Sequence, residues 1–171
     1  MSDSRSIKKR QSKQDLSSDR KLLQGKAEGI RSEGTKMAAD KAKLDELREM
    51  IEASDLPDDV KQQGLAKLQK QEAVLKTQWN EDVEKPEKEL EKSMDDLAKE
   101  NKEYADNATK NEEEISKAEA GLQSGMEASS LREAGRKQRE NASFFGGESV
   151  ETKRMKEEHR RELDEIRKMI D

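Results

Sequence analysis

Apolar residues recur at every seventh position through the first third of the chain: Leu16, Leu23, Ile30, Met37, Leu44 and Ile51. A seven-residue repeat of this kind is the seam of a helix that faces another helix. The stretch Ser54-Asp55-Leu56-Pro57-Asp58-Asp59 interrupts it, and a second apolar series runs through Leu65, Leu68, Leu75, Trp79, Val83, Leu90 and Leu97. Folding the two series about that stretch pairs Leu16 with Leu97, Leu23 with Leu90 and Ile30 with Val83, whose numbers all add to 113. Met37 with Leu75 and Leu44 with Leu68 add to 112. Trp79 falls opposite Gly34, a bulky ring facing a residue without a side chain. The pattern predicts an antiparallel α-hairpin over residues 15–97 with its turn near 54–59.

Local signals agree with that hairpin. Ser54 or Asp55 can cap the second helix, and Pro57 is tolerated in a first turn, where its missing N–H is not needed. Pro86 lies on the second seam and should bend the helix without ending it, because the apolar phase resumes at Leu90. Gly25, Gly29 and Gly34 each cost the first helix about 1 kcal/mol relative to alanine. The spacing of Gly25 and Gly29 permits close backbone approach, which in so charged a helix implies packing or tolerance.

Past Leu97 the first helix is exhausted, yet Tyr104, Ala108, Ile115 and Leu122 continue one face over a helical extension at 98–126. Asn101 and Asn111 dilute it. This face is expected to lack a cover and to need one, from the C-terminal part of the chain or from another molecule. Gly121, Gly125 and Ser129-Ser130 mark a break. In the C-terminal segment, 127–171, a helical stretch over Leu131–Asn141 is followed by Phe144-Phe145-Gly146-Gly147, which reads as a turn at 144–147. A last helix carries Met155, His159, Leu163, Ile166 and Ile170 on one face. Folded about that turn, Ile170 meets Leu122 and Ile166 meets Met126, both adding to 292. The expected fold is all-α: an elongated, coiled-coil-like antiparallel hairpin with a long central helix and a C-terminal helix folded back.

Composition narrows the class. Of 171 residues 44% are charged, 29% are hydrophobic and four are aromatic. Such a chain cannot fill a deep globular core, which leaves disorder or long amphipathic helices, and the periodic seam favours helices. No run approaches the roughly 20 apolar residues that span a bilayer. The first fifteen residues lack the apolar region of a secretory signal, so a soluble protein is expected. A cytoplasmic setting is favoured, with export lacking such a signal as the other option. There is no cysteine.

The net charge of −5 is unevenly spread. Residues 1–14 form a basic tail, Arg5, Lys8, Lys9, Arg10 and Lys13 against Asp3, and read as mobile; residues 54–126 carry 11 basic against 19 acidic side chains. The tail could contact nucleic acid or anionic membrane, but no aromatic side chain interleaves with its charges to stack on bases, and the acidic remainder repels phosphate. Nucleic acid is therefore the disfavoured partner.

Candidate chemistry is sparse. His159 is the sole histidine. No second histidine lies one turn away to form a metal pair, so a structural or solvated role is expected. Glu112-Glu113-Glu114 and Asp95-Asp96 are consecutive on a helix and point apart. Gly146-Gly147 lacks the Lys-Ser/Thr of a phosphate loop. No enzymatic activity and no cofactor are expected. Phe144 and Phe145 stand out in a chain this poor in aromatics, as a plug at a helix end or as a partner anchor.

The function implied is interaction or assembly: a coiled-coil adaptor, structural subunit or chaperone-like protein that binds a protein partner or a second copy through helix seams. Tyr104, Ala108, Ile115, Leu122, Phe144 and Phe145 are the candidate contacts. In outline the hairpin is similar to the WXG100 proteins, small helical partners of bacterial secretion and toxin systems. Those carry Trp-x-Gly in the inter-helix turn, whereas Trp79-Asn80-Glu81 here lies within a helix.

Overall fold

The computed structural model describes residues 13–122 and 125–171, with side chains from Leu16 onward. The basic residues Arg5, Lys8, Lys9 and Arg10 lie outside the described residues. Lys13 is already helical, so the first helix begins two residues inside the expected tail. Four α-helices follow: α1 Lys13–Ala53, α2 Asp58–Trp79, α3 Lys85–Ala120 and α4 Met126–Ile170. A π-helical turn, Asn80–Glu84, joins α2 to α3. There is no strand among the described residues. The fold is all-α and is built on helical hairpins, with α3 packed against α4.

Each boundary has a local cause. α1 closes where Ser54 bonds back to the Ile51 carbonyl through both its N–H (3.2 Å) and its hydroxyl (2.6 Å). Pro57 then holds an extended backbone, ψ 148°, just ahead of α2. Asp58 and Asp59 occupy the first turn of α2 and complement its helix dipole. Pro86 can neither donate to the carbonyl one turn back nor sit without crowding it. The chain widens to a π turn immediately before it, with Lys85 donating to Asn80. The helix therefore passes through Pro86.

The C-terminal third departs from the sequence reading. Phe144, Phe145, Gly146 and Gly147 are not a turn; they lie inside α4, which runs unbroken for 45 residues. The chain reverses between Ala120 and Met126 instead, and Gly125, just ahead of α4, takes φ +117°, a conformation that suits glycine. The pairs adding to 292 therefore do not form. Two glycines cost about 2 kcal/mol in a helix. The face that carries Phe145, Thr152, His159 and Leu163 offsets this, because all four side chains are buried. A continuous apolar face outweighed two local turn signals.

The chain divides into two compact units. One combines the chain up to Leu23 with Lys92–Lys156, and the other combines Gln24–Glu91 with Glu157–Asp171. In the first, Leu16, Leu23, Met94, Leu97, Ala98, Ala108 and Phe145 are buried. Arg132 pairs with Glu119, Arg139 with Glu112 and Lys156 with Asp95. The numbers of each of these pairs add to 251. In the second unit, Ile30, Met37, Leu75, Trp79, Val83, Leu90 and Leu163 are buried. Arg160 with Glu91 and Arg167 with Glu84 again add to 251. The α1–α2 register of 113 is present at Lys41–Glu72 and at Gly34, where a Cβ would stand 3.2 Å from the Trp79 ring.

Candidate functional site

The second unit holds a charged layer in its interior. His159 on α4 is 1% exposed and Glu87 on α3 is 2% exposed. Both occupy seam positions, Glu87 between Val83 and Leu90 and His159 before Leu163. Charge there is tolerated only if it is paired. The Nε2 of His159 lies 2.5 Å from the Glu87 carboxylate, and its Nδ1 lies 2.8 Å from Nη1 of Arg31 on α1. A guanidinium only donates, so Nδ1 accepts and the ring proton sits on Nε2, donated to Glu87. Arg31 in turn pairs with Glu162 at 2.8 Å. The result is a relay, Glu87–His159–Arg31–Glu162, that links three helices. Both ring nitrogens are committed, so the imidazole offers neither to a substrate.

A second polar cluster pins the π turn. Trp79 donates from Nε1 to Glu84 at 2.9 Å, and Arg167 donates to both oxygens of the same carboxylate at 2.7 and 3.0 Å. The Arg167 bonds hold the Glu84 carboxyl below its ordinary value of 4.5, burial opposes them, and the Trp79 bond assists. Glu84 raises Arg167 in return.

In the first unit the expected contact residues come together, but under cover. Tyr104 and Phe145 stack at 5.4 Å between ring centroids, and Phe144 meets Phe145 edge-on at 5.3 Å. Ala108 and Phe145 are buried, whereas Tyr104, Ile115, Leu122 and Phe144 are half-buried. A Cβ on Gly135 of α4 would touch Ile115, and one on Gly146 would reach Ala105. The face expected to be open is therefore covered by the N-terminal half of α4. The cause is the displaced turn, which brings α4 back along α3 from Met126 onward.

Exposed large apolar side chains occur in both units, Leu22, Met126 and Val150 in the first and more in the second. Leu47, Met50, Leu56, Val60 and Val74 are all exposed, and all belong to the α1–α2 hairpin of the second unit. A groove of about 340 Å³ opens on one flank of that hairpin. Leu44, Val74 and Leu75 form its floor, and Asp40, Lys43, Gln71 and Gln78 its rim. Val74 is 58% exposed there. On the opposite flank Glu72 bridges Lys41 and Arg48, closing the hairpin with charge.

Sequence reasoning missed the polar layer and the groove. For the layer a signal existed: a glutamate and a histidine at seam positions of two helices. The groove gave none, because its residues alternate with charges. Among the described residues no three His, Cys, Asp or Glu side chains gather as metal ligands. Glu112 and Asp95 are engaged by Arg139 and Lys156. No helix of the described residues is long and apolar enough to cross a membrane. No protein-family model, curated protein or solved structure matches the chain.

Proposed function

We propose that this is a non-enzymatic helical interaction protein that binds a partner's amphipathic helix along the open flank of its α1–α2 hairpin. One observation carries the reading: five large exposed hydrophobic side chains and an apolar-floored groove are gathered on that single hairpin. In a chain that is 44% charged, an apolar strip of Leu44, Val74 and Leu75 edged by polar and charged side chains has the layout of an interface, an apolar centre within a polar rim. A helix laid in such a groove anchors through side chains one turn apart. Each large apolar side chain it buries contributes roughly 1.5–3 kcal/mol.

The test is capture of partners from the native host by the full-length protein and by the variant Leu47→Lys/Val74→Lys. Both positions are exposed, so helical circular dichroism should be unchanged. The variant should lose the partner that the parent retains, and the parent's complex should persist in about 0.5 M salt, because apolar contacts are not screened. Partners held equally by both proteins, or released by salt alone, would refute the groove as the binding site.

A further inference from the structure

We infer that the buried Glu87–His159–Arg31 layer is a register lock, which selects one alignment of α4 on α3 from several that the rest of the hairpin would accept. The need for such a device follows from the repeats. Cationic residues stand at multiples of seven at Arg132, Arg139, Arg160 and Arg167, and so do acidic ones at Glu84, Glu91, Glu112 and Glu119. The native alignment adds to 251. A slip of seven residues in one direction still joins Arg167 to Glu91, and in the other it joins Arg160 to Glu84. The exposed ladder is thus partly degenerate: either slip keeps two of its five pairs and loses Lys156–Asp95, and exposed pairs are weak selectors in any case.

The turn does not decide between alignments either. Its native centre lies by Gly125, but Gly121 and Ser129-Ser130 offer turn residues near the centres that the two slipped alignments require. On α3 the seam at Val83, Leu90, Leu97 and Tyr104 repeats with the same period, so a seven-residue slip still meets large apolar or aromatic side chains there. The buried layer does not repeat. Neither do the Ser149–Ala98 bond and the Arg20–Glu148 pair of the first unit, but the layer sets a carboxylate of α3 against a side chain of α4 with both almost inaccessible. One slip would set the Glu87 carboxylate against Ile166, and the other would set His159 against Asn80. Each leaves a desolvated charged or polar group without its partner. Arg31 completes the lock from α1, since its guanidinium can satisfy Nδ1 only where His159 now stands. Polar seam residues that fix alignment at some cost in stability are the best-attested use of buried charge.

The native chain has no cysteine, so introduced pairs report register cleanly. Three full-length reporters carry Cys at Glu91 and Arg160 (native alignment), at Glu84 and Arg160, or at Glu91 and Arg167 (the two slips), each treated with a short bis-maleimide. With the layer intact, only the first pair should crosslink within the chain. In the background Glu87→Leu/His159→Leu, where Arg31 keeps Glu162, at least one slipped pair should crosslink roughly tenfold more than before. The melting temperature there should be equal or higher. The triple variant that adds Arg31→Leu should behave alike. Exclusive native crosslinking in these folded variants would overturn the inference. So would failure of both to fold, since the layer would then hold the fold together without choosing among alignments.

Discussion

At Gly34 two large side chains converge on one backbone position. A Cβ there would lie 3.2 Å from a Trp79 ring carbon and 3.2 Å from Cγ2 of Ile166. The Trp79 ring cannot retreat freely, because Nε1 is tied to Glu84. Gly25 and Gly29 lie in the same helix with nothing within 4 Å of such an atom. The three glycines therefore answer substitution with opposite signs. Gly34→Leu should destabilise by about 1–3 kcal/mol through overpacking, despite leucine's better helix propensity. Gly25→Ala and Gly29→Ala should each stabilise by up to about 1 kcal/mol. Urea unfolding followed by Trp79 fluorescence measures all three, and a stabilised Gly34→Leu protein would disprove the close approach. The opposition of Trp79 and Gly34 was legible from pair sums alone, because a ring facing a missing side chain leaves a mark in sequence. The added crowding by Ile166 was not, since it depends on where α4 begins.

Among the elements, the hairpin of α1 with α2 and the start of α3 was written in its apolar repeat. The course of α4 was misread. Phe-Phe-Gly-Gly carries strong local turn chemistry, and local chemistry lost to a face that buries Phe145, Thr152, His159 and Leu163 along one helix. A better signal was available in the charges: Arg132, Arg139, Arg160 and Arg167 stand at multiples of seven, as do Glu119, Glu112, Glu91 and Glu84, which marks α3 as the partner of α4 without choosing one alignment. The π turn makes its own prediction. Glu84 joins Trp79 and Arg167 there, and its carboxyl is held below 4.5 chiefly by the Arg167 bonds. A depressed carboxyl binds its proton more weakly in the folded chain than in the unfolded one. Its contribution to stability is therefore complete above 4.5 and is lost as pH falls through the lower native value. Glu84→Gln should be less stable than the parent at neutral pH. The two proteins should converge as pH falls progressively below 4.5. A constant difference in urea midpoint over that range would show that the charge of Glu84 has no part in holding the turn.

For the molecule as a whole, most of the large side chains that are buried within each unit lie where three helical segments meet; Leu68 and the small Ala108 and Ala128 are buried outside those stretches. In the first unit the segments are α1 from Leu16 to Leu23, α3 from Met94 to Asn101 and α4 from Phe145 to Thr152. In the second they are α1 from Ala27 to Ala38, the stretch from Leu75 to Leu90 and α4 from His159 to Ile170. Elsewhere α1 and α2, or α3 and α4, have only each other. Leu44, Ile51 and Leu65 are half-buried in the second unit, as are Ile115 and Leu122 in the first, although each continues an apolar seam. A two-helix seam removes less apolar surface from water, and stabilisation scales with that area. Local opening should follow the same division. Amides of α1 from Lys41 to Ala53 and of α2 from Asp58 to Lys67 should exchange with deuterium at least about tenfold faster than those from Ala27 to Ala38, a difference of about 1.4 kcal/mol in opening free energy. In the first unit, residues from Thr109 to Ala120 should likewise exchange faster than those from Met94 to Asn101. The α1 segment that opens readily also carries the α1 side of the groove, at Lys43 and Leu44. Added partner helix should therefore slow exchange at Asp40–Met50 and Gln71–Gln78 and leave Met94–Asn101 unchanged. Uniform protection along α1 in the free protein would show that the two-helix portion is as firmly held as the three-helix core, and that the groove is a rigid surface feature with no coupling to local opening.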